Sequence, residues 1–354
     1  MNEARPVRAA LIGYGLGGAA FHAPFLATLP EYRLAAVVTG NPERAAAAGG
    51  RYPGAEVLPK ADEVFARADE FDLAVVTAPN RFHAPLARQA LEAGLHVVVD
   101  KPFAGTPEQG RALAALAADR GRVLCVFQNR RYDGDFRTVR ALIDEGRLGD
   151  VLRFESRFER WRPEPALGGW KEDAEPAALG GILYDLGSHL IDQAVALFGR
   201  PVRVYAELDR SRVGVAVDDD SFVALEHAGG ERSHLWMSAT AADLGPRMRV
   251  LGTKAAYVKY GLDVQEAALR AGATPGGPGW GSEEPSAWGR LGVPGDSTAV
   301  ETLPGAYQDF YRELAVALVD HAAPPVPLAE SVAVLEVIAA ARRSAADGAV
   351  VPLS

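Results

Sequence analysis

Asp185 and His189 lie four residues apart in the segment GGILYDLGSHLIDQ. On a helix that spacing puts both side chains on one face. Their neighbours Ile182, Leu183, Leu186, Leu190 and Ile191 are apolar, so such a helix is largely buried. A carboxylate beside an imidazole orients the ring and tunes it around its reference pKa of about 6.5, which suits proton transfer at an alcohol oxygen. The plainer alternative is a structural hydrogen-bonded pair. No further ligands cluster at metal-binding spacing, so no metal site is expected. The single cysteine, Cys125 in VLCVF, excludes an internal disulfide and any cysteine-based zinc motif, and reads as a small core residue.

Lys101 stands in Asp100-Lys101-Pro102, directly after the apolar run His96–Val99. Pro102 biases Lys101 towards an extended conformation. An ammonium at a strand's carboxyl end can donate to a substrate hydroxyl or a developing alkoxide; alternatively it is a solvated turn lysine. A third motif, Gly13-Tyr14-Gly15-Leu16-Gly17-Gly18, is a full G-x-G-x-x-G between a strand and a helix. Gly13 permits the tight turn, Gly15 and Leu16 bring backbone N–H groups to a pyrophosphate, and Gly18 allows close helix–strand packing. Pro24 should kink or restart the helix that follows.

The second strand ends in Thr39-Gly40-Asn41-Pro42-Glu43-Arg44. Folds that bind NAD usually place a carboxylate at this strand tip, for the ribose 2′-hydroxyl. Here Thr39 and Asn41 offer neutral hydrogen bonds, Asn41-Pro42 reads as a helix cap, and Arg44 adds positive charge. That favours NADP(H), with NAD(H) as the alternative; Glu43 keeps open the reading of a plain cap with an exposed arginine. Ala78, Pro79, Asn80 and His83 follow the fourth strand and read as a helix start that also faces the cofactor.

These motifs need a frame. Short apolar strands at Val7–Ile12, Leu34–Thr39, Glu56–Leu58, Leu73–Thr77, His96–Val99 and Val123–Phe127 alternate with helices at Pro42–Ala48, Arg81–Ala93 and Thr106–Arg120. This is the pattern of a doubly wound parallel α/β sheet, a Rossmann-type domain over residues 1–127. From residue 128 the grammar changes. Leu152–Phe158 alternates apolar and polar and reads as an antiparallel strand with one wet or interfacial face, a helix runs over Gly181–Phe198, and five strand-like runs follow between Val202 and Tyr260. Residues 128–354 are therefore expected to form an α+β domain with an open, mainly antiparallel sheet, its last helices at Tyr307–Val319 and Val332–Arg342 free to return to the first domain. The Gly- and Pro-rich stretch 272–295, with Trp280 and Trp288, suits an ordered lid or interface loop.

The chain has 354 residues, 48% of them hydrophobic, and a net charge of −9. That composition is globular and argues against a nucleic-acid or anionic-membrane binder. The N-terminus does not read as a signal peptide, and no run approaches the roughly 18 apolar residues of a membrane span. A cytoplasmic protein is expected. An open sheet must cover its outer face, so a homodimer or homotetramer through that sheet is expected as well.

In order along the chain, GYGLGG, TAPNRFH, ALEAGLHVVVDKP and GGILYDLGSH resemble the glucose–fructose oxidoreductase / inositol dehydrogenase / rhizopine catabolism (Gfo/Idh/MocA) family of NAD(P)-dependent oxidoreductases. FHAPFL, VVTGNPER, FQNRRYDGDF and YGLDVQEAAL are similar to its NADP-dependent scyllo-inositol dehydrogenase branch. The resemblance implies a sugar or cyclic polyol as substrate. It makes Lys101 the catalytic lysine, His189 the acid/base and Asp185 its orienting carboxylate. Asp100 stands where the family usually has glutamate, one methylene longer; the resemblance makes Asp100 and Lys101 candidate cofactor contacts on the nicotinamide side. Gln128, after the sixth strand, is a candidate nicotinamide contact; Trp161 and Arg162 are candidates for sugar hydroxyls or for surface packing. The rival readings are a cofactor-binding regulator without turnover, and a lyase or glycosidase that uses NAD(P) transiently.

Overall fold

The computed structural model describes residues 5–165 and 179–353. The chain divides into two compact units. The first comprises Met1–Asn129, Gln265–Trp280 and Ala306–Leu328; the second comprises Arg130–Val264, Gly281–Gly305 and Ala329–Ser354.

The first unit is built on six strands: β1 (Val7–Ile12), β2 (Tyr32–Val38), β3 (Glu56–Leu58), β4 (Leu73–Val76), β5 (His96–Val99) and β6 (Leu124–Val126). They pair in parallel in the order β3-β2-β1-β4-β5-β6. The runs LAVV and HVVV are nearly continuous β-branched apolar residues because helices cover both faces of a parallel sheet. The order reverses direction between β1 and β4, and ligands in such sheets bind outside the carboxyl ends at that switch point. The helix after the glycine turn does restart at proline: a π turn over Gly17–His22 gives way to an α-helix over Ala23–Thr28, with Pro24 in its first turn.

The second unit holds a nine-stranded sheet. Its strands are β7 (Val151–Glu159), β8 (Pro201–Asp209), β9 (Asp220–His227), β10 (Arg232–Ser238), β11 (Met248–Gly252), β12 (Ala256–Lys259), β13 (Gly289–Val293), β14 (Asp296–Val300) and β15 (Val351–Pro352). They run in the order β14-β13-β12-β11-β7-β10-β9-β8-β15. All neighbours are antiparallel except β7 and β10, which pair in parallel. One face of the sheet, with Phe154, Phe158, Leu235 and Met237, packs on Leu190 and Ile191 of the helix Ser188–Phe198 and on Val337 and Ile338 of the helix Leu328–Asp347. The other face carries Phe222 and Trp236, ring centroids 5.1 Å apart, with the Arg157 guanidinium 3.9 Å above the Trp236 ring.

Two expectations need correction. The stretch 272–295 is not one long loop: from Gly289 it becomes β13, which turns into β14 and extends the sheet. Its glycines hid the strand, since Gly289 packs under the Tyr257 ring where a side chain would collide. The alternating segment at Leu152–Phe158 is antiparallel only to β11, because β10 lies parallel on its other side. Among the described residues, no helix is long and apolar enough to cross a membrane.

Candidate active site

The glycine turn has the geometry its motif requires. Gly13 has φ +108°, and a Cβ there would press on the Thr77 carbonyl. A Cβ on Gly18 would run into the Gly13 carbonyl oxygen, so the helix can lie this close to β1 only as glycine. Gly15 opens towards Arg44: a Cβ there would stand 3.8 Å from the Arg44 guanidinium. Gly17, which the motif leaves as a free position, is also closely packed. A Cβ there would stand 2.5 Å from the Thr77 hydroxyl and 3.1 Å from an Asp100 carboxylate oxygen. The turn after β1, the end of β4 and the end of β5 thus meet around Gly17.

At the end of β2, Asn41 caps the helix Pro42–Arg51: its side-chain oxygen accepts from the Arg44 N–H at 2.9 Å. The Thr39 hydroxyl accepts weakly from the Asn41 N–H at 3.4 Å. The cap consumes the Asn41 oxygen and leaves its amide N–H groups free of that role. Asn41 and Arg44 are exposed, and Thr39 is half-buried.

Asp100 and Lys101 follow β5, and the Lys101–Pro102 peptide bond is cis. Burial would raise the Asp100 pKa, but the imidazoles of His22 and His83 and a hydrogen bond from Thr77 overcome this and hold it at about 2. Lys101 is half-buried. His83 is buried, with its ring nitrogens 2.8 Å from the Pro102 carbonyl and 2.6 Å from the Ala78 carbonyl. Burial lowers its pKa despite those acceptors. These distances place the His83 ring between the loop Ala78-Pro79-Asn80 and the loop at Pro102, at the carboxyl edge of the sheet. Asn80 opens the short 3-10 turn before it. Gln128 sits just past β6, 2% exposed, and its side-chain oxygen has no hydrogen-bond partner among the described residues. A buried carbonyl oxygen without a donor suits a carboxamide N–H from a ligand. The residues present therefore fit a dinucleotide: glycines for the pyrophosphate, Arg44 for a phosphate, Gln128 for a carboxamide.

In the second unit, Asp185 lies in a π turn, Leu183–Gly187, that runs directly into the helix Ser188–Phe198 carrying His189. The sequence pattern predicts a uniform helix; the wider turn at its start is of the kind often found at functional sites. Asp218 shapes that start. Its carboxylate accepts from the Leu183 N–H at 2.7 Å and its carbonyl from the Ile182 N–H at 2.8 Å. Gly181, at φ +100°, leaves room for that carboxylate. His189 is 7% exposed and Asp185 half-buried.

One turn further on, the helix is anchored by charge. Arg131 bonds both oxygens of Asp192, at 2.7 and 2.6 Å, and reaches Glu330 at 2.7 Å. Gln193 donates to the Arg130 carbonyl at 2.8 Å and accepts from Arg247 at 3.1 Å. Trp161 and Arg162 prolong β7: Trp161 bridges to Thr240 and is 57% exposed, and the Arg162 N–H donates to the Ala239 carbonyl at 2.8 Å.

Within the first unit the structure gathers Gly13, Gly15, Leu16, Gly18, Ala78, Pro79, Asn80, Asp100, Lys101 and Gln128 at the carboxyl edge of one sheet. Within the second it places Asp185 and His189 on consecutive turns of one helix. Sequence reasoning missed the roles of Gly17 and Asp218, and also His22, whose position in FHAPFL marks no chemistry until the fold brings it to Asp100.

Residues 7–128 match the model of the oxidoreductase family with an NAD-binding Rossmann fold, and residues 136–258 match that of the GFO/IDH/MocA C-terminal domain. The chain is 35% identical to scyllo-inositol 2-dehydrogenase (NADP(+)) IolW of Bacillus subtilis over 345 residues, covering 96% of this chain and 94% of that one. It is 40% identical to the oxidoreductase YdgJ of Escherichia coli, with 94% of each chain covered. A solved oxidoreductase from Bacillus cereus superimposes with a TM-score of 0.88 at 30% identity, covering 98% of this chain and 99% of that one.

Proposed function

Because the chain belongs to the Gfo/Idh/MocA family of NAD(P)-dependent oxidoreductases, we propose that it is an NADP(H)-preferring dehydrogenase that interconverts a hydroxyl and a ketone on a sugar or cyclic polyol such as an inositol. The observation that carries the NADP(H) preference is the end of β2. No carboxylate stands at the strand tip, and Arg44 leans towards Gly15 of the phosphate-binding turn. The name of the Bacillus subtilis relative supports both the cofactor and the substrate class.

When bound, the nicotinamide supplies or accepts the hydride. The chain's own residues hold the substrate and move the proton. In the oxidative direction His189 takes the hydroxyl proton, and the Asp185 carboxylate steadies the resulting imidazolium. Lys101 donates a hydrogen bond to the reacting oxygen and stabilises the alkoxide character that develops there. Reduction reverses each step. Trp161 and Arg162 offer a ring face and a guanidinium to sugar hydroxyls. His189→Ala should lower kcat by about 10²- to 10⁴-fold, the usual contribution of a positioned acid/base, while leaving the Kd for NADPH within about twofold. Unchanged turnover removes His189 from this role.

The same reading includes a homodimer or homotetramer that covers the outer sheet face around Phe222, His234 and Trp236, working in the cytoplasm on a small-molecule substrate. Light scattering of the purified protein tests the assembly, and a monomer refutes it.

A further inference from the structure

His22 is fully buried, yet both of its ring nitrogens are engaged by groups distant in sequence. Nδ1 is 2.5 Å from the Tyr311 hydroxyl, and Nε2 is 3.2 Å from an Asp100 carboxylate oxygen. Tyr311 is itself fully buried, on the helix Tyr307–Asp320 that returns to the first unit. One arrangement of protons satisfies every atom. The Tyr311 hydroxyl donates to Nδ1, and the Nε2–H donates to Asp100. Burial raises the Tyr311 pKa well above that of an ordinary phenol, so the hydroxyl keeps its proton and stays a donor.

The rings cannot drift. His22 lies 4.2 Å from the Phe127 ring, and Tyr311 stacks on Phe25 at 5.8 Å. The Tyr32 hydroxyl also donates to the Tyr311 carbonyl at 2.7 Å. The chain ends at a group that is not sealed in: the Asp100 side chain is 23% exposed. Its carboxylate also stands beside Gly17 and Thr77, at the start of the glycine-turn helix. A rigid two-bond chain thus runs from the core to the one carboxylate at the carboxyl edge of β5.

We propose that Tyr311 and His22 are positioning residues that hold the Asp100 carboxylate in a single rotamer from which it serves the bound dinucleotide. The relay supplies from behind the precision that a short aspartate side chain needs when the backbone alone sets its reach. It rests on the reading of Asp100 as a cofactor residue. Tyr311 and His22 touch no ligand and act only through Asp100.

The test is NADPH binding by calorimetry, without substrate, on the full chain and its variants. Asp100→Asn and His22→Leu should each weaken binding by about tenfold, the scale of losing a hydrogen bond to a charged group. The double variant should bind no worse than the weaker single one. His22→Gln keeps an N–H close to the position of Nε2 and should recover binding to within about threefold of the wild type. In ¹⁵N spectra of the unliganded protein, the His22 ring should appear as the pure Nε2–H tautomer, and Tyr311→Phe should abolish that purity. If Asp100→Asn weakens binding and His22→Leu does not, the relay is wrong and the role of Asp100 stands. Equal weakening by His22→Gln and His22→Leu also overturns the relay, because the loss is then one of packing. If Asp100→Asn binds like the wild type, the cofactor role of Asp100 fails and the relay has nothing to position. Should His22→Leu not fold, His22→Gln and Tyr311→Phe carry the same test.

Discussion

Replacing Arg131 by methionine removes the guanidinium that neutralises Asp192 one turn beyond His189. The Arg131 and Asp192 side chains are 8% and 1% exposed, and two bonds of 2.7 and 2.6 Å join them. Breaking a buried pair from one side typically costs about 3–5 kcal/mol, because the remaining charge loses its partner. The Glu330 contact adds little, since that side chain is 36% exposed. Burial already raises the Asp192 pKa against the pull of Arg131, so in the variant the carboxyl takes up a proton and the loss falls near the lower end of that range. The sign with pH follows. A carboxyl whose folded pKa lies above its unfolded value of about 4 contributes stability at low pH that is lost as pH rises through the folded value. Arg131→Met should therefore lose about 3 kcal/mol near pH 8 and distinctly less near pH 5.5, read from urea midpoints followed by circular dichroism. Arg131→Met with Asp192→Asn should recover part of the loss near pH 8. A single variant within about 1 kcal/mol of the wild type at both pH values would refute the reasoning.

Arg44→Ala should raise the Kd for NADPH by about tenfold and leave that for NADH within about twofold, since only the 2′-phosphate loses a charge-assisted hydrogen bond; equal effects on both cofactors would remove Arg44 from phosphate recognition. His96 accepts from the Val123 N–H at 3.0 Å, and burial, aided by Arg122, lowers its pKa to about 4. The unfolded chain binds the extra proton between pH 4 and about 6.5, so this contribution to stability is full above about 6.5 and is lost as pH falls towards 4. His96→Asn keeps an acceptor and cannot titrate, so its urea midpoint should fall less than that of the wild type between pH 7 and 5; parallel slopes would show that His96 does not drive the acid limb.

The parallel sheet was legible because each of its strands is a short apolar run closed by a turn residue, and because a sheet buried on both faces leaves that mark in sequence. The glycine turn was legible for the same local reason. Asp218 and Tyr311 were not, because their roles arise from contacts between distant segments: Asp218 on the N–H groups before Asp185, and Tyr311 on a ring 289 residues away. The strands β13 and β14 were hidden by Gly289, Gly292 and Gly295, whose composition reads as loop.

The decisive measurement follows the absorbance of NADPH and of NADH with purified protein. The substrates are inositols, their ketone forms and common aldoses, each in both directions. Net oxidation or reduction of the nucleotide, much faster with NADP(H) than with NAD(H), is the predicted result. Tight nucleotide binding with no absorbance change on any of these substrates would contradict a polyol dehydrogenase. It would favour a protein that senses the cofactor, or one that uses it only transiently.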